Sequence, residues 1–125
     1  MLNLVIRIPE KISTNKIYSG IHWTKRSKHK DVFYWEVKSA LNKRKIQGIE
    51  FLYPICIDYD FRFKMRPLDT TNCTYMAKMI EDALVKCNIL TNDSPKYVAK
   101  SSFVSNKNNH EKEDICVINF SHYTK

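Results

Sequence analysis

A chain of 125 residues has room for one hydrophobic core and therefore one domain. Its 43% hydrophobic and 12% aromatic content exclude a disordered tail, and two glycines exclude both a Gly-rich nucleotide loop and a fold of many tight hairpins. Lysine and arginine number 21 against 13 acids, a net charge of +8, which points to a polyanionic partner, nucleic acid being the commonest.

Residues 2–8, L-N-L-V-I-R-I, read as a strand, and Pro9 to Ser19 as a loop. The start of the chain has neither the long apolar core nor the cleavage-like end of a signal peptide. No apolar run approaches membrane-spanning length. Residues 20–30 form a basic segment around one tryptophan. Residues 31–46 read as a helix with Asp31 near its start and Phe33, Val37, Ala40 and Leu41 at helical spacing. Its far end is N-K-R-K, and Gly48 is the expected stop.

Residues 53–64 alternate. Ile55, Ile57, Tyr59, Phe61 and Phe63 point one way, and Cys56, Asp58, Asp60, Arg62 and Lys64 the other. Pro67 ends this strand and a loop carries Asp69. A second helix covers about residues 71–87. Met76, Met79, Ile80, Ala83, Leu84 and Cys87 form its apolar stripe. Lys78 and Asp82 share the polar side one turn apart, with Thr71 and Tyr75. Asn88 stands where a left-handed cap is expected. Residues 96–104 and 114–120 read as two further strands, and the polar stretch between them as a hairpin loop or an excursion. The order β-α-β-α-β-β predicts an α+β (mixed α/β) domain with helices packed on one mixed sheet.

The four cysteines, Cys56, Cys73, Cys87 and Cys116, show no C-x-x-C pair and no zinc spacing with histidine. Free thiols and a reducing compartment are the expectation, with Cys56 and Cys87 buried among apolar neighbours. No cysteine or serine stands in a diagnostic relation to His22, His29, His110 or His122, which leaves nucleophilic catalysis without support.

Two acids bracket the second helix. Asp69 precedes it and Asp93 follows it, separated along the axis by about 25 Å at the standard rise. They meet if the loop after the helix turns back, or if two chains contribute one acid each. Asp58 or Asp60 is a nearer partner for Asp69. Taken singly, each acid also reads as a turn or helix-cap residue.

The run D-T-T-N, then Lys78, then D-A-L-V-K-C-N-I-L-T-N-D-S-P-K-Y-V resembles the signature of the RusA-like Holliday junction resolvases. That pattern is D-x-D-N, a lysine on the following helix, D-A-L one turn on, and an acidic pair after a short turn. The spacing from Asp82 to Asp93 matches without gaps. The opening strand and P-E-K-I-S-T-N-K-I-Y are similar to the family's start at Asn15 and Tyr18. The chain departs from the pattern at Thr71 and Asn92, which stand where the family has acids, and in a segment from Asn72 to Lys78 three residues longer. The resemblance implies a homodimer that cuts four-way or otherwise branched DNA with Mg²⁺ or Mn²⁺, in a bacterial or phage-infected cytoplasm. It implies Asp69 and Asp93 as metal ligands and catalytic residues, Lys78 acting near the scissile phosphate, and supporting roles for Asn72, Asp82 and Asn15. Asp60 is the expected replacement for the lost carboxylate.

Phosphate contacts fall to two groups of cations. Lys25, Arg26, Lys28 and Lys30 form a docking arm, and Arg62, Lys64 and Arg66 lead into Asp69. Trp23 either stacks on an unpaired base or packs on the sheet. Two alternatives from other classes are a non-catalytic DNA- or RNA-binding module, favoured by Thr71, and an interaction protein whose charge is incidental.

Overall fold

The computed structural model describes residues 2–20, 23–108 and 112–125. In chain order the elements are β1 (Leu2–Arg7), α1 (Thr14–Tyr18), α2 (Trp23–Lys43), β2 (Ile55–Phe63), a 3₁₀ turn (Thr70–Cys73), α3 (Thr74–Lys86), β3 (Val98–Lys107) and β4 (Ile115–His122). The four strands form one mixed sheet in the order β1-β4-β2-β3. Strand β4 is antiparallel to both β1 and β2, whereas β2 and β3 run parallel. A parallel neighbour requires a crossover, and the segment containing α3 supplies it.

The alternation of β2 decides which face is covered. Ile55, Ile57, Tyr59, Phe61 and Phe63 are fully buried beside Cys116, Ile118 and Phe120 of β4 and Leu4 and Ile6 of β1. Phe33, Val37, Ala40 and Leu41 of α2 and the apolar stripe of α3 complete this core. The opposite face carries half-exposed Asp58, Asp60 and Arg62 with exposed Val5 and Val104. The mixed α+β class is therefore as the sequence predicts.

Four local expectations change. Helix α2 begins at Trp23, so the basic run 25–30 is its opening turns and not an extended arm. Lysine and arginine are good helix formers, and the apolar spacing that marks a helix in sequence begins only at Phe33. The same helix ends before Gly48. Lys45 takes the left-handed conformation at φ 55°, Lys45 N–H donates to Asn42 O, and Ile46 N–H donates to Leu41 O at 2.9 Å. That is a Schellman closure made without glycine. The short helix α1 lies inside the predicted loop, held by buried Ile17 and Thr14; one turn is too short to show a period. Finally, β3 and β4 are not hairpin partners, because β2 lies between them. Asn108 N–H bonds Phe63 O and Lys64 N–H bonds the Asp114 carboxylate, each at the end of β2 between them.

Helix α3 ends as expected. Asn88 has φ 61°, Asn88 N–H bonds Val85 O at 3.0 Å, and Ile89 N–H bonds Leu84 O at 2.9 Å. Leu84 and Ile89 are both buried, the apolar contact that accompanies this cap. No helix among the described residues is long and apolar enough to cross a membrane.

Candidate functional site

The chain after α3 is reversed by apolar anchors. Ile89 and Leu90 are buried, and Leu90 N–H also reaches Leu84 O. Thr91 N–H then donates to the Tyr53 hydroxyl at 3.2 Å. Asn92 accepts from the backbone N–H groups of Asp93 and Ser94 at 2.7 and 3.1 Å, a side-chain turn that aims the next carboxylate. Asp93 thereby returns along the helix to Lys78, whose Nζ lies 2.5 Å from Asp93 Oδ2 and 3.1 Å from Asp82 Oδ1. Asn92, standing where the resembled pattern has an acid, serves here as the turn residue.

Lys78 thus sits between two carboxylates. The hydrogen bond from Lys78 holds the Asp93 carboxyl below its ordinary range, and the bond to Asp93 raises the Lys78 ammonium. Lys78 is still 55% exposed, so each pair contributes little stability, about 0.2–1 kcal/mol. Glu81 belongs to the same neighbourhood and was not legible as a site residue. Burial raises its pKa; the hydroxyl of Tyr59, donating at 3.0 Å, and the charge of Lys78 oppose that rise, whereas Asp93 and Asp82 add to it. In sequence Tyr59 belongs to the apolar face of a strand, and nothing in its spacing reports a polar contact with α3.

Beside this cluster α2 and α3 leave a groove of about 330 Å³ lined by Arg26, Ser27, Lys30, Tyr75, Lys78 and Asp82 among others. Arg26 and Lys30 are one helical turn apart on α2 and face α3 across it. Tyr75 was expected on the polar side of α3; it is instead nine-tenths buried, with its hydroxyl 2.8 Å from His29 Nδ1. The start of α3 is held from outside. Tyr75 N–H donates to Thr14 Oγ1 at 2.9 Å, and that oxygen lies 2.9 Å from Thr74 Oγ1. Asn15 N–H donates to Asn72 Oδ1 at 3.1 Å, which joins two of the three predicted supporting residues and fixes α1 to the 3₁₀ turn.

The other predicted residues are placed as follows. Asp69 is exposed at the start of the 3₁₀ turn; its carbonyl accepts from Asn72 N–H and Cys73 Sγ, and its carboxylate does not cap the turn. Asp60 does not join the cluster. It points from the sheet face opposite α3, where Arg62 donates to it at 2.8 Å and Asn106 at 3.1 Å. Strand alternation dictates this, because its neighbours Tyr59 and Phe61 are committed to the core. Arg62 is consequently neutralised on that far face. Lys64 and Arg66 are exposed, and Arg66 O accepts from Lys11 Nζ at 3.0 Å. Lys25 and Lys28 are exposed on α2. The side chain of Trp23, like His22, lies outside the described residues.

The oxygen-rich pair Asp82 and Asp93 is of the donor type a hard divalent cation takes, with waters and phosphate oxygens completing the shell. Among the described residues no group of three or more His, Cys, Asp or Glu is arranged to hold a metal. The four thiols are unpaired. Cys73 and Cys116 are the buried ones, whereas Cys56 and Cys87, expected to be buried, are half-exposed. Burial raises the Cys73 thiol and pushes Cys116 well up, so both are unreactive as thiolates. No protein-family model matches the chain, and no curated protein matches it in sequence.

Proposed function

We propose that this protein is a divalent-cation-dependent endonuclease that binds branched DNA and hydrolyses a phosphodiester bond. The observation carrying this reading is the return of Asp93 to Lys78 beside Asp82, at the rim of a groove whose other wall bears Arg26 and Lys30. Arg26 and Lys30 seat backbone phosphates, and the groove orients the strand against the carboxylates. Asp93 and Asp82 would hold the cation, Mg²⁺ or Mn²⁺, with Asp69 as the further ligand implied by the resemblance. When bound, such a cation polarises a phosphoryl oxygen and lowers the pKa of a bound water. Lys78 would offset charge building on the phosphate oxygens. The reading also implies two copies acting on symmetric strands, and a reducing cytoplasm compatible with four free thiols.

A second reading has its own support. Lys78 already neutralises the carboxylate pair, and the third carboxylate expected at the site, Asp60, is turned to the far face. A protein that binds DNA or RNA and does not cut it would keep this internal counter-ion in place.

Both readings meet one experiment. A synthetic four-way junction is incubated with the protein with and without Mg²⁺, and both binding and paired nicks are read. Nicking that needs Mg²⁺ and is lost in Asp93→Asn is the expected result, with Asp69→Asn and Asp82→Asn reporting which acid is the second ligand. Undiminished cutting by Asp93→Asn removes its role. Binding that never leads to nicks selects the second reading, and no binding at any salt concentration removes both.

A further inference from the structure

Helix α2 carries a second surface, remote from the groove. Trp35 lies nine residues beyond Arg26, half a turn around the helix at 100° per residue, and so on the solvent side. It is 63% exposed, an unusual state for an indole. Val32, one turn earlier, is also exposed. Trp35, Lys38, Ser39, Asn42 and Lys43 line a shallow depression of about 430 Å³. Tyr34 packs edge-on against Trp35 with ring centres 5.3 Å apart, and Lys86 of α3 stands over the Tyr34 ring at 4.5 Å. Aromatic rings and cations therefore alternate along one ridge.

Charge decides the occupant. A second copy docking through the same patch would oppose Lys38 and Lys43 to their own counterparts across a symmetric interface. A single nucleic-acid strand meets no such penalty: phosphates pair with the lysines, an unstacked base lies on the indole, and Ser39 and Asn42 offer donors and acceptors to its edge. We propose that the Trp35 depression is a binding site for an unpaired nucleobase of single-stranded or branch-point nucleic acid. The proposal rests on the nucleic-acid reading above and does not depend on cutting.

The test is fluorescence anisotropy with a labelled oligo-dT and an abasic strand of equal length, at one fixed salt concentration. Trp35→Ala should weaken oligo-dT binding by roughly 5- to 150-fold, the range of one lost base stack. Trp35→Phe should retain most of the affinity, and binding to the abasic strand should be unchanged by either substitution. In a Trp23→Phe background, oligo-dT should quench the remaining indole emission. Because Trp35 is exposed, its removal leaves the core intact. Equal oligo-dT affinity for wild type and Trp35→Ala overturns the proposal. So does a wild-type dimer that Trp35→Ala converts to monomer without changing DNA affinity, which would assign the patch to a second copy. Failure of the wild type to bind any strand overturns this proposal and the proposed function together. Undiminished nicking by Asp93→Asn counts against the proposed function alone and leaves this proposal standing.

Discussion

Replacing Tyr59 by Phe removes one hydroxyl beneath the carboxylate cluster and little else. The ring stays packed, because it stacks on Phe103 at 5.4 Å with planes 7° apart and on Phe61 at 6.2 Å. What is lost is the 3.0 Å hydrogen bond to Glu81. A hydrogen bond to a charged partner contributes about 1.5–3 kcal/mol, and one between neutral groups about 0.5–1.5 kcal/mol. Burial raises the Glu81 pKa and the Tyr59 hydroxyl opposes that rise, so the variant should raise it further. A carboxyl whose folded pKa exceeds its unfolded value favours folding when protonated. Its contribution is complete below the unfolded pKa and is lost as pH rises through the folded one. Tyr59→Phe should therefore lose about 0.5–1.5 kcal/mol at pH 4, where Glu81 is largely protonated, and about 1.5–3 kcal/mol at pH 8, where it is charged. Equilibrium urea unfolding of both proteins at the two pH values measures the difference, and contributions common to both cancel. Equal losses at pH 4 and pH 8 would refute the assignment of Glu81 as a half-buried carboxylate stabilised by Tyr59.

Two further outcomes follow from contacts around α3. Lys78→Met removes the group that depresses Asp93, so the Asp93 carboxyl should titrate nearer its ordinary range in a carbon-13 NMR titration. The stability tied to that depressed pKa is present above the unfolded value and lost as pH falls through the folded one. The variant should show a flatter acid limb and lose no more than about 1 kcal/mol at pH 7, since the pair is half-exposed; an unmoved Asp93 titration would contradict the ion pair. Thr14→Val removes the oxygen that accepts Tyr75 N–H and should cost about 0.5–2 kcal/mol in urea unfolding, with Thr14→Ser restoring most of it. Full stability of the valine variant would mean that α3 does not depend on α1 for its cap.

Legibility in the sequence followed period and size. Alternation in β2 and the i, i+3, i+4 stripe of α3 announced the sheet face and the helix, because burial on one side imposes those periods on any sequence. Asn88 announced its left-handed cap through chemistry local to one residue. Within the site, the Lys78–Asp82 pair was readable as neighbours one helical turn apart, and the pairing of Asn15 with Asn72 brings together two residues named for separate reasons. The basic residues 25–30 were readable as cations and not as a helix, since a stripe of cations has no apolar period to report.

The amino-acid order by itself determined the long periodic elements, the buried stripes, the positive charge and the candidate acids, because each rests on the intrinsic preferences of single residues or of residues a few places apart. Only the tertiary structure decided which acids meet. Asp93 reaches Lys78 because Ile89 and Leu90 bury themselves and fold the chain back along α3, a contact set by packing between segments distant in sequence. Asp60 is kept away by the same physics, since burying Tyr59 and Phe61 on one side of β2 obliges the residue between them to face the other.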